Sequence, residues 1–318
     1  MDFGRSTIAR AKTAGGANFL SRSVAKPLLS ARREGTAINA DAISVPQTGP
    51  LLQRQPRARG LLEVSAKLRG GVSRIADLHQ SGSFKALFPR AFSSALQAVV
   101  LNTGGGITGG DRFRLTGRAE PGSHLVLTTQ AAERIYRAQP GEVGRVRTIL
   151  RVGPGARLDW LPQETIVFDR AALDRTINAE VDPEGRFLAV EPVIFGRAAM
   201  GEIVQTGYFS DRWRVRMGEE LIFADNLLLD GPVQNLLDRP AVAGGARAMA
   251  SLLLVARDAD LALDRLRRAL GSGGGASLIR PGVLFARVLA ADGFALRRSL
   301  IPAIRALTGT DIPKTWIL

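Results

Sequence analysis

The stretch DRFRLTGRAEPGSHLVLTTQ (Asp111–Gln130) recurs thirty-three residues later as GRVRTILRVGPGARLDWLPQ (Gly144–Gln163). Each copy alternates polar and apolar residues, breaks at Pro-Gly and alternates again, which is the pattern of strand, turn, strand. Arg-x-Arg stands at the head of both copies and Gln at the end of both. A looser third copy runs Asp174-Arg-Thr-Ile-Asn, then Pro183-Glu-Gly185, then Arg186-Phe-Leu-Ala-Val-Glu-Pro192. A period near thirty predicts stacked β coils, each rung burying its apolar face against the next. An all-β sandwich, which also spaces its turns closely, is the alternative.

Outward from the repeat, Leu61–Gly82 reads as strands joined by short hairpins, and strands are expected at Ile203–Phe209, Trp213–Met217, Glu220–Leu229 and Gly282–Leu289. Gly273–Gly275 is expected to be a loop. Helical spacing is confined to the end of the chain. One helix is expected over Asp258–Leu270, with Leu261, Leu266 and Leu270 on one face and Gly271 as its stop. A second is expected over Phe294–Leu307, ending at Gly309 and kinked or shortened by Pro302. The expected fold class is therefore mainly β: a stacked-sheet, β-helix-like body with a few α-helices near the C-terminus.

The chain has 318 residues, a net charge of +14, no cysteine and two histidines, His79 and His124. Disulfides, thiolate metal sites and cysteine nucleophiles are thereby excluded, and a histidine-built metal store has too few ligands. No apolar run reaches bilayer length, so no membrane partner is expected. Residues 1–59 hold ten Lys/Arg against three Asp/Glu and little apolar periodicity. They read as a basic, disordered arm ahead of a β-rich domain over residues 60–318, although scarce acids and scattered arginines also suit a transit peptide. The remaining charge is mixed with acids and shows no nucleic-acid-binding pattern.

Gly104, Gly105, Gly106, Gly109 and Gly110 lie in LNTGGGITGGD (Leu101–Asp111), which contains a formal GxGxxG. A dinucleotide site needs a helix to begin there, yet Arg112–Arg118 alternates as a strand does, so these glycines are expected to shape a β-turn. No catalytic constellation is present, and no enzyme is expected. Both histidines read as structural. The carboxylates Asp111, Glu133, Glu164 and Glu202 lie near turns or repeat junctions, where stacked rungs would line them up. Two readings stay open for them: ion pairs with nearby arginines, or a hydrated cation path.

Seven blocks of the sequence together resemble one family. They are LHQSGSFKALFP (Leu78–Pro89), LNTGGGITGGD (Leu101–Asp111), TTQAAERIYR (Thr128–Arg137), LPQETIVF (Leu161–Phe168), FGRAAMGE (Phe195–Glu202), DNLLLD (Asp225–Asp230) and IPKTW (Ile312–Trp316). In this order they are similar to the signature blocks of the UreD (UreH) family of urease accessory proteins, over about residues 60–318. The resemblance implies a mainly β fold and a cytoplasmic, non-catalytic maturation factor. It also implies binding to apo-urease with UreF and the GTPase UreG, and nickel donated by UreE. Nickel would be cargo in transit, with no tightly bound cofactor, and Glu164 is the path residue carried over from the family. Asp111, Glu133 and Glu202 extend that set. The arginines of the C-terminal helices, among them Arg265, Arg268, Arg297 and Arg298, are expected to be exposed and to dock an acidic partner. A bridging scaffold with no metal route is the alternative, and a dinucleotide enzyme a more distant one.

Overall fold

A computed structural model describes residues 56–90, 93–197, 200–310 and 312–317. Almost all of the expected basic arm, residues 1–55, lies outside the described residues. The first strand, β1 (Arg59–Arg69), turns at Gly70-Gly71 into β2 (Val72–Gly82), the expected hairpin, and β3 (Phe84–Leu87) and β4 (Leu96–Asn102) follow. The repeat then unfolds as coils. The first contains β5 (Arg112–Ala119), β6 (His124–Thr129) and the short β7 (Glu133–Ile135). Its copy contains β8 (Gly144–Val152), β9 (Arg157–Leu161) and the short β10 (Thr165–Val167). The third comprises β11 (Ala172–Val181) and β12 (Arg186–Phe195).

Strands of successive coils pair in parallel. β1, β5, β8, β11 and then β13 (Gly207–Met217) build one sheet, with β2 on one edge and β14 (Glu220–Gly231) antiparallel on the other. β4, β6, β9 and β12 build the second, which continues antiparallel through β15 (Ala248–Val255) to β17 (Val283–Ala290) and β16 (Gly274–Arg280). The stacked-coil expectation therefore holds. Arg112 pairs with Arg145 and His124 with Arg157, the thirty-three-residue offset read in the sequence.

The third copy sits one residue away from its written alignment. In sequence, Arg175 stands in the column of Arg112 and Arg145. In the sheet Arg145 pairs with Asp174, and Val146 with Arg175. Side chains alternate faces along a strand, so this single step sends Arg175 inward while Arg112 and Arg145 point out.

Two apolar layers hold the body together. Between the sheets, Leu62, Leu115, Leu150, Ile177 and Trp213 of the first face Leu125, Leu127, Leu158 and Phe187 of the second. The other face of the second sheet is covered by α2 (Leu263–Leu270) and α3 (Gly293–Thr308), where Leu188, Val190, Leu252 and Leu254 meet Leu266, Leu296, Leu300 and Trp316. Burial on both faces explains why β15 reads AMASLLLV without alternation, whereas β5 reads RFRLTGRA.

Several local expectations change. The strands expected at Ile203–Phe209 and Trp213–Met217 merge into one strand, β13, which starts only at Gly207, leaving residues 203–206 outside it. Of the loop expected at Gly273–Gly275, Gly274 and Gly275 instead open β16, an edge strand whose Ser277–Arg280 are all exposed, apolar Leu278 and Ile279 included, so it shows no clear period. A short helix, α1 (Val233–Asp238), was not anticipated. The helix expected from Asp258 begins as a 3-10 turn at Ala259–Ala262, becoming α-helical only at Leu263, and Leu261 is left exposed. Pro302 does not shorten α3, whose N-terminus is capped by the Asp292 carboxylate accepting from the Ala295 amide at 2.8 Å.

Candidate functional site

Strands of the second sheet end together, and four of the seven signature blocks gather at those ends. LNTGGGITGGD follows β4, TTQAAERIYR spans the end of β6 and β7, LPQETIVF joins β9 to β10, and FGRAAMGE closes β12. The glycine turn packs against its neighbour block: the Ile107 amide donates to the Arg134 carbonyl, and the Tyr136 hydroxyl donates to the Gly105 carbonyl. Gly106 has φ +150°, and a Cβ there would lie 2.3 Å from the Tyr136 ring, so close stacking of the coils requires glycine. The turn leads into β5 rather than into a helix, so no helix N-terminus faces these glycines for a pyrophosphate.

LPQET contains a break between strands. β9 pairs with β12 as far as Ala189, and β10 resumes the ladder at Val193. Pro162 and Pro192 lie within the unpaired interval, where neither has an amide hydrogen to leave unsatisfied. Glu191 is beside this gap.

A cavity of about 230 Å³ opens here between the two sheets. Exposed Gly105, Gln130 and Ala131 mark its mouth, with Glu133 and Asn102 half-buried just inside. Its floor is formed by buried Trp160, Thr165, Arg175 and Glu191. Arg175 donates to Glu191 Oε2 at 2.5 Å and Thr165 Oγ1 at 3.0 Å, and grips Asp211 through two bonds at 3.1 and 2.7 Å. The indole of Trp160 donates to Glu191 Oε1 at 2.7 Å, and that of Trp213 to Asp211 at 3.2 Å.

One guanidinium thus serves two buried carboxylates, and the group carries an excess negative charge when both are ionised. Burial, reinforced by the Asp211 charge and opposed by Arg175 and Trp160, pushes the Glu191 carboxyl up to about 7. Burial also pushes Glu133 up to about 7, although Asn102 donates to it at 3.1 Å. The cavity therefore has, at its mouth and its floor, carboxyls that exchange a proton near neutrality.

The four carboxylates singled out in the sequence are dispersed. Only Glu133 lines the cavity. Asp111 clamps the start of the fold to the glycine turn, accepting from the Ala58 amide at 2.7 Å and the Thr108 amide at 2.9 Å. Glu164 points away from the cavity and is bound by Arg297 of α3, whose guanidinium also meets Gln163 and lies 5.5 Å from the centre of the Trp316 ring. Glu202 pairs with Arg197, which stacks on Phe168 at 4.2 Å. Ion pairing therefore accounts for two of the four, but through Arg297 in one case, far away in sequence. Among the docking arginines, Arg265, Arg268 and Arg298 are exposed, whereas Arg297 is half-buried by its bond to Glu164. His124 bonds Asp159 at 2.9 Å. Burial opposes ionisation of Asp159, but His124 and Arg157 outweigh it and hold its carboxyl below the usual range.

Sequence reading missed Arg175, Glu191 and Asp211. Their only signal was charge within strands that otherwise read as core, such as Glu191 in RFLAVEPVIF. Among the described residues, no group of three or more His, Asp or Glu side chains converges as a fixed metal site would, and no helix is long and apolar enough to cross a membrane.

The UreD urease accessory protein family model matches residues 58–316. The urease accessory protein UreD of Roseobacter denitrificans is 50% identical over 264 residues, covering 83% of this chain and 96% of the relative. That of Ruegeria pomeroyi is 48% identical over 257 residues, 81% of this chain and 100% of the relative, and that of Rhizobium johnstonii 47% identical over 267 residues, 83% and 97%. The stacked parallel coils, the cavity between them and the blocks at its mouth are thus those of a chain that belongs to the UreD family of urease accessory proteins.

Proposed function

We propose that this chain serves urease maturation as a cytoplasmic, non-catalytic scaffold. It holds apo-urease together with UreF and the GTPase UreG, and gives nickel delivered by UreE a passage through the cavity between the sheets. The observation that carries the passage is the floor of that cavity, where Glu191 and Asp211 share the single guanidinium of Arg175. A buried site with more carboxylate than cation charge favours a proton or a visiting metal ion. Oxygen donors without thiolate or paired imidazoles hold nickel loosely, as transit requires. Glu133 would take the ion at the mouth, and Glu191 further in. Asp111, Glu164 and Glu202 act on this reading by holding the cavity's walls together.

The test is urease activation in cells that supply the other accessory proteins and excess nickel. Wild type is compared with Glu133→Gln and Glu191→Gln variants matched for expression and for capture of apo-urease. Urease that is bound normally but stays nickel-poor supports the passage. Full activation by both variants removes it and leaves the bridging scaffold, a reading that the ion-paired state of Glu164 and Glu202 favours.

A further inference from the structure

The Arg-x-Arg pairs at the head of each coil take no part in the cavity. Parallel register sets Arg112 beside Arg145 and Arg114 beside Arg147 on the outer face of the first sheet, with Arg59 next to Arg112 at the end of one row. Neighbouring strands lie about 4.8 Å apart, so like charges are stacked directly opposite one another, an arrangement that destabilises a sheet. All four side chains of the quartet are exposed, and among the described residues none forms a salt bridge; Asp174, opposite Arg145 in the ladder, is bound instead by Arg212. They border a depression of about 330 Å³ over Gly60 and Phe113. The helices α2 and α3 lie on the other sheet and leave this face open.

The patch has edges. On one side Asp174 is bound to Arg212 at 2.6 Å, and Glu180 to Arg151 at 3.0 Å. On the other, Glu63 pairs across the ladder with Thr116. Within these edges four arginines without a bound carboxylate among the described residues stand together on two adjacent strands, with Arg118 and Arg214 farther along the same face.

We propose that this quartet docks an acidic surface of a partner protein, whose Asp and Glu carboxylates are gripped by the guanidinium forks of Arg112, Arg114, Arg145 and Arg147. A planar fork matches a carboxylate bidentately, and an anion here relieves the repulsion built into the ladder. Neither the chain's own N-terminal segment nor a second copy suits the face: residues 1–55 hold eight Lys/Arg against three Asp/Glu, and each copy carries +14. A nucleic acid fits less well. The outward residues between the arginines are Leu61, Thr116, Ile149 and Thr176, with no ring to stack a base, and the flanking carboxylates oppose a continuing phosphate backbone. The docking does not depend on nickel passing through the cavity.

The experiment is fluorescence anisotropy on the full chain with three labelled probes: a ten-residue polyglutamate, a ten-nucleotide oligo-dT and a short DNA duplex. Wild type is compared with Arg114→Glu/Arg147→Glu and with Arg265→Glu/Arg268→Glu, which makes the same charge change on α2, the rival docking face expected from the sequence. Both pairs of arginines are exposed, and thermal melts verify folding; Arg114→Gln/Arg147→Gln substitutes if the reversed pair fails to fold. Polyglutamate binding about tenfold weaker in the sheet variant and within about twofold of wild type in the helix variant supports the proposal. An equal or larger loss in the helix variant, or no binding by wild type, overturns it. Tighter binding of either nucleic acid than of polyglutamate, lost in the sheet variant, overturns it in favour of nucleic acid.

Discussion

Arg147 and Arg175 occupy neighbouring strands of one sheet, within two paired positions of each other, yet live in opposite environments. Arg147 is exposed on the outer face beside Arg114, with no carboxylate among the described residues. Arg175 is buried on the inner face and bound to two carboxylates. The chemistry of the side chain is the same, so the difference comes from register. A one-residue step between the second and third coils turns an arginine from a surface charge into the organising cation of the interior. An Arg in a repeat is therefore uninformative until its face is known.

The comparison is broken most severely at Arg175. Arg175→Ala leaves Glu191 and Asp211 buried without their cation, and breaking a buried pair in this way costs about 3–5 kcal/mol. The expected result is a lower urea midpoint with an unchanged slope. Arg175→Lys restores the charge without the fork that reaches both acids, so it should recover only part of the loss. Removing Arg212 from its exposed pair with Asp174 should cost about 0–1 kcal/mol, which keeps the contrast between faces in one measurement.

A second, smaller effect comes from the interior carboxyls and has a sign. Glu133 and Glu191 have ordinary carboxyls near 4.5, raised to about 7 in the fold. Between these limits the folded chain binds more protons than the unfolded chain. Their contribution is thus fully present below about pH 4.5 and is lost as pH rises through about 7. Glu133→Gln should flatten this slope, read as the change in urea midpoint between about pH 5 and about pH 8. An unchanged slope would mean that the cavity mouth is too wet to hold the carboxyl protonated.

The coils were legible because Pro-Gly turns and alternating strands repeat at a nearly constant offset, which stacking demands. The hairpin at Gly70-Gly71 and the cap at Gly309 were legible for similarly local reasons. The cavity was not. Glu133 could be singled out from the sequence, but its companions Glu191 and Asp211 come from strands twenty residues apart, and only the one-residue step brings Arg175 to them. Glu164 illustrates the same limit, since its partner Arg297 lies 133 residues away on a helix packed against the opposite side of the sheet. Local pattern reveals which strands stack, whereas long-range pairing decides which charges meet.

The smallest expected effect tests the outer half of the comparison. Arg147→Thr exchanges a like-charge neighbour of Arg114 for a β-branched residue that suits a strand, beside Thr176 on the other side. Relief of one opposed pair should raise stability by about 0.2–1 kcal/mol at low salt. Because the repulsion acts between solvent-exposed groups, the gain should shrink as salt screens it, falling away near 1 M where the screening length is about 3 Å. A gain that persists at high salt would be strand propensity alone. A loss would show that Arg147 is already neutralised by an anion in solution, which would itself bear on what docks at this face.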